Sequence, residues 1–109
     1  MKQGDIILVD FDPIKGREQS GYRPALVISQ TKYNQRRALA VICPITNNVR
    51  ALNFRVPLDE RTQTKGDIIC EQIRTIDLLA RNHKIVERLP KDLLEKVLGA
   101  VSVIIDLED

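Results

Sequence analysis

One histidine, two cysteines, no tryptophan and an aromatic content of 4% leave this sequence short of several kinds of functional group. A zinc centre needs several Cys or His ligands at clustered spacing, and Cys43, Cys70 and His83 stand far apart. The acidic residues are scattered too, without the D-x-D spacing of a calcium loop. Small secreted domains are stapled by dense cysteine sets. Here the two cysteines each sit inside an apolar, strand-like run, and nothing in the sequence pairs them, so buried free thiols in a reducing compartment are expected. No apolar run approaches the ~20 residues that span a bilayer. The stretch "MKQGDIILVDF" has no small-residue cleavage site, and Asp5 and Asp10 bracket its apolar part, unlike a signal peptide. The expectation is a cytoplasmic protein with no cofactor, no metal and no membrane contact.

What is present is ordinary for a globular chain. At 109 residues, with 43% hydrophobic and 29% charged residues, it suits one domain spanning 1–109. The net charge of +2 is compatible with a nucleic-acid partner without demonstrating one. Strand-like runs fill the first three-quarters: residues 5–11, 24–29, 39–46, 53–58, 66–74 and 83–89. Pro57 marks the fourth as an edge strand or a bulge. The polar "TKYNQRR" before the third run suits a short helical turn, and "TIDLLARN" reads as one or two helical turns capped by Thr75. In the tail, Leu94, Val97, Leu98, Val101, Ile104 and Ile105 recur with helical period, and Pro90 suits the start. Leu93, Ala100, Val103 and Leu107 widen the apolar side enough to suggest self-association, or else a fully buried helix. The pattern is α+β: five to seven short, mostly antiparallel strands in a small barrel, followed by a C-terminal helix.

Three places carry unusual polar groups. "GREQSGYRP" (16–24) crowds a carboxylate and two arginines into a loop at a strand mouth, with Gly16 and Gly21 freeing the backbone. Glu18 is placed to orient Arg17 or Arg23, and Pro24 holds Arg23 extended. On these residues alone the loop reads rather as a solvated turn whose exposed ion pair is worth ~0–1 kcal/mol. "CPITNN" (43–48) ends a strand at Thr46, a residue type that usually just forms turns. In "ICEQIRTID" (69–77), Glu71 and Gln72 would face opposite sides of a strand, and Arg74 and Asp77 could pair across the following turn. His83 reads as a solvated loop residue.

In combination these motifs resemble one family. "GDIILVDFDPIKGREQSGYRPALVIS", then "PIT", then "CEQIRTID", in this order and spacing, is similar to the MazF/PemK-type toxins of bacterial toxin–antitoxin modules over essentially the whole chain. The resemblance implies a homodimeric SH3-like barrel that cuts single-stranded RNA at short sequence motifs without a metal. It places the catalytic arginine at Arg23, the catalytic threonine at Thr46, a supporting carboxylate at Glu18 and an acidic, base-like position at Glu71. Arg17, Gln19, Tyr22, Asn47 and Gln72 fall among its RNA-binding positions. The chain departs from the Kid/PemK branch, which has histidine at the position of Arg17 and arginine at that of Ile69. The implied partners are RNA, an antitoxin with an acidic disordered C-terminal segment, and promoter DNA bound together with that antitoxin. A CcdB-like gyrase poison of similar fold and a non-enzymatic nucleic-acid-binding barrel are the alternatives. Further phosphate contacts are expected from Lys15, Arg36, Arg37, Arg50 and Arg55, and stacking from Tyr22, Tyr33, Phe11 and Phe54.

Overall fold

The computed structural model describes residues 1–11 and 21–109. Among the described residues, seven strands and two helices follow in the order β1 (Asp5–Asp10), β2 (Tyr22–Val27), α1 (Thr31–Arg37), β3 (Leu39–Thr46), β4 (Arg55–Pro57), β5 (Asp67–Ile69), β6 (Arg74–Asp77), β7 (His83–Arg88) and α2 (Lys91–Ile105). Every pairing is antiparallel, and the sheet order is β4-β5-β3-β2-β1-β7, with β6 also paired to β3. The sheet does not close among the described residues, so the expected barrel is a curled sheet ending in β4 and β7. Pro57 lies in the edge strand β4, where its missing N–H costs no ladder bond.

Side-chain alternation splits the core into two layers. Ile6, Leu26, Cys43, Ile45 and Ile68 point to one face, which α2 covers with Leu93, Val97 and Val101. Those three helix positions are four apart and form one stripe. Ile7, Val9, Ala25, Val27, Ala40, Ile42 and Ile76 point to the other face, joined by Phe11. Cys43 and Cys70 are free and buried in the helix-covered layer. Burial, followed by the neighbouring Cys70, pushes the Cys43 thiol up to about 12. Burial, followed by the charge of Glu71, takes Cys70 to about 11. The end of α2 is left uncovered: Val103 is 70% exposed and Ile105 69%. Among the described residues no helix is long and apolar enough to cross a membrane.

Three sequence expectations are corrected. Residues 66–74 are not one strand: β5 ends at Ile69, a turn follows, and β6 begins at Arg74. Glu71 and Gln72 therefore sit in that turn, both exposed, rather than on opposite strand faces. The turn is needed because β3 pairs with β6 over residues 39–42 and with β5 at 45–46, so the chain must step across from one to the other. The helix proposed for "TIDLLARN" is β6 plus a turn. β-branched Thr75 and Ile76 extend the ladder on β3, and Leu79, 86% exposed, has no surface on which to pack a helical face. Asp77 accepts from the Leu79 and Ala80 N–H groups, and Arg74 lies over Phe11, so the two do not form the expected pair.

The segment between β4 and β5 is held by carboxylates. Arg61 forms a two-pronged bond to Asp92 at 2.8 and 2.9 Å, in the first turn of α2, and also binds Asp59. The side-chain bond from Arg61 holds both carboxyls below their usual range. Burial would raise Glu87, but the Thr64 hydroxyl and the Thr64 and Gln63 N–H groups outweigh it and hold Glu87 low. A carboxyl with a depressed folded pKa stabilises the protein above its unfolded value, ~4, and loses that contribution as pH falls through the folded value. Thermal melts from pH 7 to pH 2.5 should therefore stay flat to about pH 5 and fall steeply below about pH 4. Glu87→Gln should cost about 1 kcal/mol at pH 7 and make the acid fall shallower.

Candidate functional site

The ladder between β2 and β3 brings two distant polar residues together. It pairs Ala25 with Pro44, and two residues beyond that pair β2 carries Arg23 and β3 carries Thr46. Both belong to the face away from α2, since Arg23 is paired with buried Val9 of that layer. There the sheet opens into a groove of about 1060 Å³. Arg23, Tyr22, Thr46, Asn47, Asn48, Gln72 and Arg74 give it polar groups, and Phe11, Pro44 and Ile42 give it an apolar floor. Two guanidinium groups and no carboxylate occur among its described lining residues, which favours an anionic ligand.

Thr46 ends β3, and its Oγ1 accepts the Asn48 N–H at 3.1 Å. That bond occupies a lone pair and leaves the hydroxyl proton free to be donated. The next residues are braced from behind. Asp67, 2% exposed, stands opposite Thr46 in the β3–β5 ladder, accepts the Arg50 N–H at 3.0 Å and pairs with Arg55 at 3.5 Å. Arg55 in turn donates to the Asn48 carbonyl at 2.8 Å. Gly66 has φ +121°, and a Cβ there would overlap the Thr46 carbonyl oxygen. Only glycine meets both demands.

The predicted residues are distributed unevenly. Arg23, Thr46, Tyr22, Asn47 and Gln72 line the groove. Glu71 occupies the adjoining exposed turn and is not among the lining residues. Lys15, Arg17, Glu18 and Gln19 lie outside the described residues. Of the expected phosphate contacts, Arg55 is engaged in the brace with only 15% of its side chain exposed. Arg50 borders a separate recess of about 260 Å³. Arg36 and Arg37 sit on α1, at the other end of β3 from Thr46. Tyr33 is on α1 as well, and Phe54, 37% exposed, precedes β4 outside the groove. His83 is exposed, as expected, but opens β7 rather than lying in a loop. The sequence reading missed Arg74, whose Cζ lies 5.0 Å from the Phe11 ring centroid. Its position two residues before core residue Ile76, on the same strand face, is the signal that could have found it.

A family model described as PemK-like, MazF-like toxin of type II toxin–antitoxin system matches residues 2–105. The chain is 40% identical over 109 residues to endoribonuclease PemK of Escherichia coli, covering 96% of this chain and 82% of that one. It is 32% identical over 102 residues to endoribonuclease toxin MazF of Escherichia coli K12, covering 94% and 91%. The crystal structure of MazF from Deinococcus radiodurans superposes with a TM-score of 0.83 at 30% identity, over 95% of this chain and 94% of that one. The MazE–MazF complex of the same organism gives 0.85 at 25% identity, over 99% and 97%.

The brace makes Gly66 a sharp test of the Thr46 geometry. Gly66→Ala should lower stability by about 2 kcal/mol or more, through positive φ and backbone overlap, measured by urea denaturation. Asp67→Asn, which leaves Arg55 without its carboxylate, should cost about 1–3 kcal/mol in the same assay.

Proposed function

The chain belongs to the PemK-like, MazF-like toxins of type II toxin–antitoxin systems, and from that premise we propose that it is an endoribonuclease that cuts single-stranded RNA in the β2–β3 groove. The observation that carries the reading is the placement of Arg23 and Thr46 on one sheet face, in a groove lined by cations and amides. Relatives named endoribonuclease PemK and endoribonuclease toxin MazF support the activity.

The reaction needs little from the protein beyond positioning and charge. RNA carries its nucleophile, the 2′-hydroxyl next to the scissile phosphate, and well-oriented internal attack gains effective molarities of about 10⁵ M or more. The 2′-oxygen bonds to phosphorus, its proton passes to a base, the P–O5′ bond breaks and the 5′-oxygen takes up a proton. The products are a 2′,3′-cyclic phosphate and a 5′-hydroxyl, and no metal is required. Arg23 presents a planar fork of donors to the phosphorane oxygens. A guanidinium holds its protons too tightly to act readily as an acid, so Arg23 is the stabiliser of charge. Thr46 donates one further hydrogen bond. Glu71 is the carboxylate proposed to take the 2′ proton, and Glu18 the one that supports Arg23. Tyr22, Asn47 and Gln72, with Arg17 and Gln19 from the loop, contact bases and phosphates. Unpaired bases expose the edges that such amides can read.

The assembly follows from the same premise. Residues 1–109 act as one toxin unit, and the uncovered end of α2, with Val103 and Ile105, fits a homodimer contact. The cognate antitoxin lays an acidic segment, disordered when free, across the cationic groove and blocks it. A relative's structure titled as a MazE–MazF complex supports this partner. Together the two proteins bind their promoter DNA. Released in the cytoplasm, where buried free thiols persist, the toxin cuts mRNA, stops translation and inhibits growth.

The test is cleavage of a long RNA in EDTA. We expect sequence-specific fragments with cyclic phosphate ends, a fall of about 10²–10³ in kcat for Arg23→Ala, and a smaller loss for Thr46→Val, with thermal stability near wild type. Activity that vanishes in EDTA and returns with a divalent ion, or that survives Arg23→Ala, overturns the mechanism.

A further inference from the structure

A second cationic surface lies at the opposite end of the sheet. α1 carries Lys32, Arg36 and Arg37, all exposed, and Tyr33, 40% exposed among them. Lys32 and Arg36 are four residues apart and share a helix face, as do Tyr33 and Arg37. None of these three cations has a hydrogen-bond or ion-pair partner among the described residues; the ion pairs fall at Arg55 and Arg61. The helix has no acidic residue in its first turn. Nearby carboxylates are occupied: Asp77, opposite Leu39, binds the Leu79 and Ala80 N–H groups, and Asp5 binds the Lys2 N–H. Lys2 adds a further exposed cation, since its segment is tied to α1 by the Gln3 N–H on Thr31 Oγ1 at 3.1 Å.

Helix stability does not explain this arrangement. Arg36 and Arg37 suit the C-terminal end of the helix dipole, but Lys32 stands in the first turn, where a cation is disfavoured. Like charges at i, i+4 cost a further few tenths of a kcal/mol. Uncompensated cations around an exposed ring are the pairing that holds single-stranded nucleic acid, with phosphates on the charges and a base on the aromatic face.

We infer that α1 is an exosite for the RNA strand, several nucleotides from the scissile bond. The seven residue steps from Leu39 to Thr46 separate it from the groove by about 23 Å. The inference rests on the endoribonuclease reading of the groove for the identity of the ligand. It predicts that long RNAs gain affinity that short ones cannot.

Two measurements test it. The first is anisotropy binding of a 30-nucleotide single-stranded RNA across salt concentrations, with Arg23→Ala present throughout to prevent cleavage. Adding Lys32→Ala/Arg36→Ala/Arg37→Ala should weaken binding about tenfold and lower the log–log salt slope by about 2, from three lost phosphate contacts at ~0.7 each. Arg36→Lys/Arg37→Lys should keep the slope. Tyr33→Ala should weaken binding at least fivefold with the slope unchanged. The second is cleavage by the triple variant with Arg23 intact. It should cut a six-nucleotide RNA as wild type does and a long RNA with raised KM and unchanged kcat. If neither protein cleaves RNA, the groove reading fails while the binding arm still decides the exosite. An unchanged salt slope in the triple variant overturns the inference. So does polyglutamate binding that depends on these residues while RNA binding does not.

Discussion

The antiparallel register between β2 and β3 is the constraint on which the site depends. It sets Ala25 against Pro44, with Arg23 and Thr46 two residues beyond that pair on their strands, both lining the groove. Because side chains alternate, a slip of one residue would turn one of the two away from the groove. The register is fixed by the core behind it. Leu26 and Cys43 go to the α2-covered layer, and Val27 and Ile42 to the other, so a slip would also expose apolar side chains on both faces. Fold and site are thus specified by the same alternation.

A second level of order places the hydroxyl. Asp67 is buried and charged, a costly state unless well partnered. Its partners, the Arg50 N–H and the Arg55 guanidinium, belong to the segment after Thr46 and to β4. The burial of one carboxylate therefore holds the end of β3, the loop after it and an edge strand together. Arg55 completes the link through the Asn48 carbonyl. Cations that look available in the sequence can be consumed in this way. Arg23 and Arg74, which line the groove, are cations that a polyanion there would meet.

Much of this was legible in the chain. The β-branched runs gave β1, β2 and β3 to within two residues, and the periodic apolar stripe gave α2. Pro57 marked an edge. The step from β5 to β6 was not legible, because "GDIICEQIR" contains no breaker after Gly66 and reads as unbroken strand. Its interruption answers a tertiary demand, the change of partner along β3. Arg23 and Thr46 could be singled out by their motifs, but their meeting in one groove is a property of register. Arg74 was missed because Asp77 looked like its partner, and only the pairing of Arg74 with Ile42 reveals that it reaches the groove. The bracing role of Arg55 was hidden for the same reason: its partner Asp67 comes from a neighbouring strand.

The two thiols in the α2-covered layer have a practical corollary. With Cys43 and Cys70 fully buried and their acidities suppressed to about 12 and 11, alkylating reagents find almost no thiolate in the native protein. Cys43 lies three residues before Thr46, and Cys70 opens the turn that delivers Gln72 to the groove. The rate at which these sulfurs become modified is therefore a clock for breathing of the wall behind the groove, readable by mass spectrometry without any engineered label.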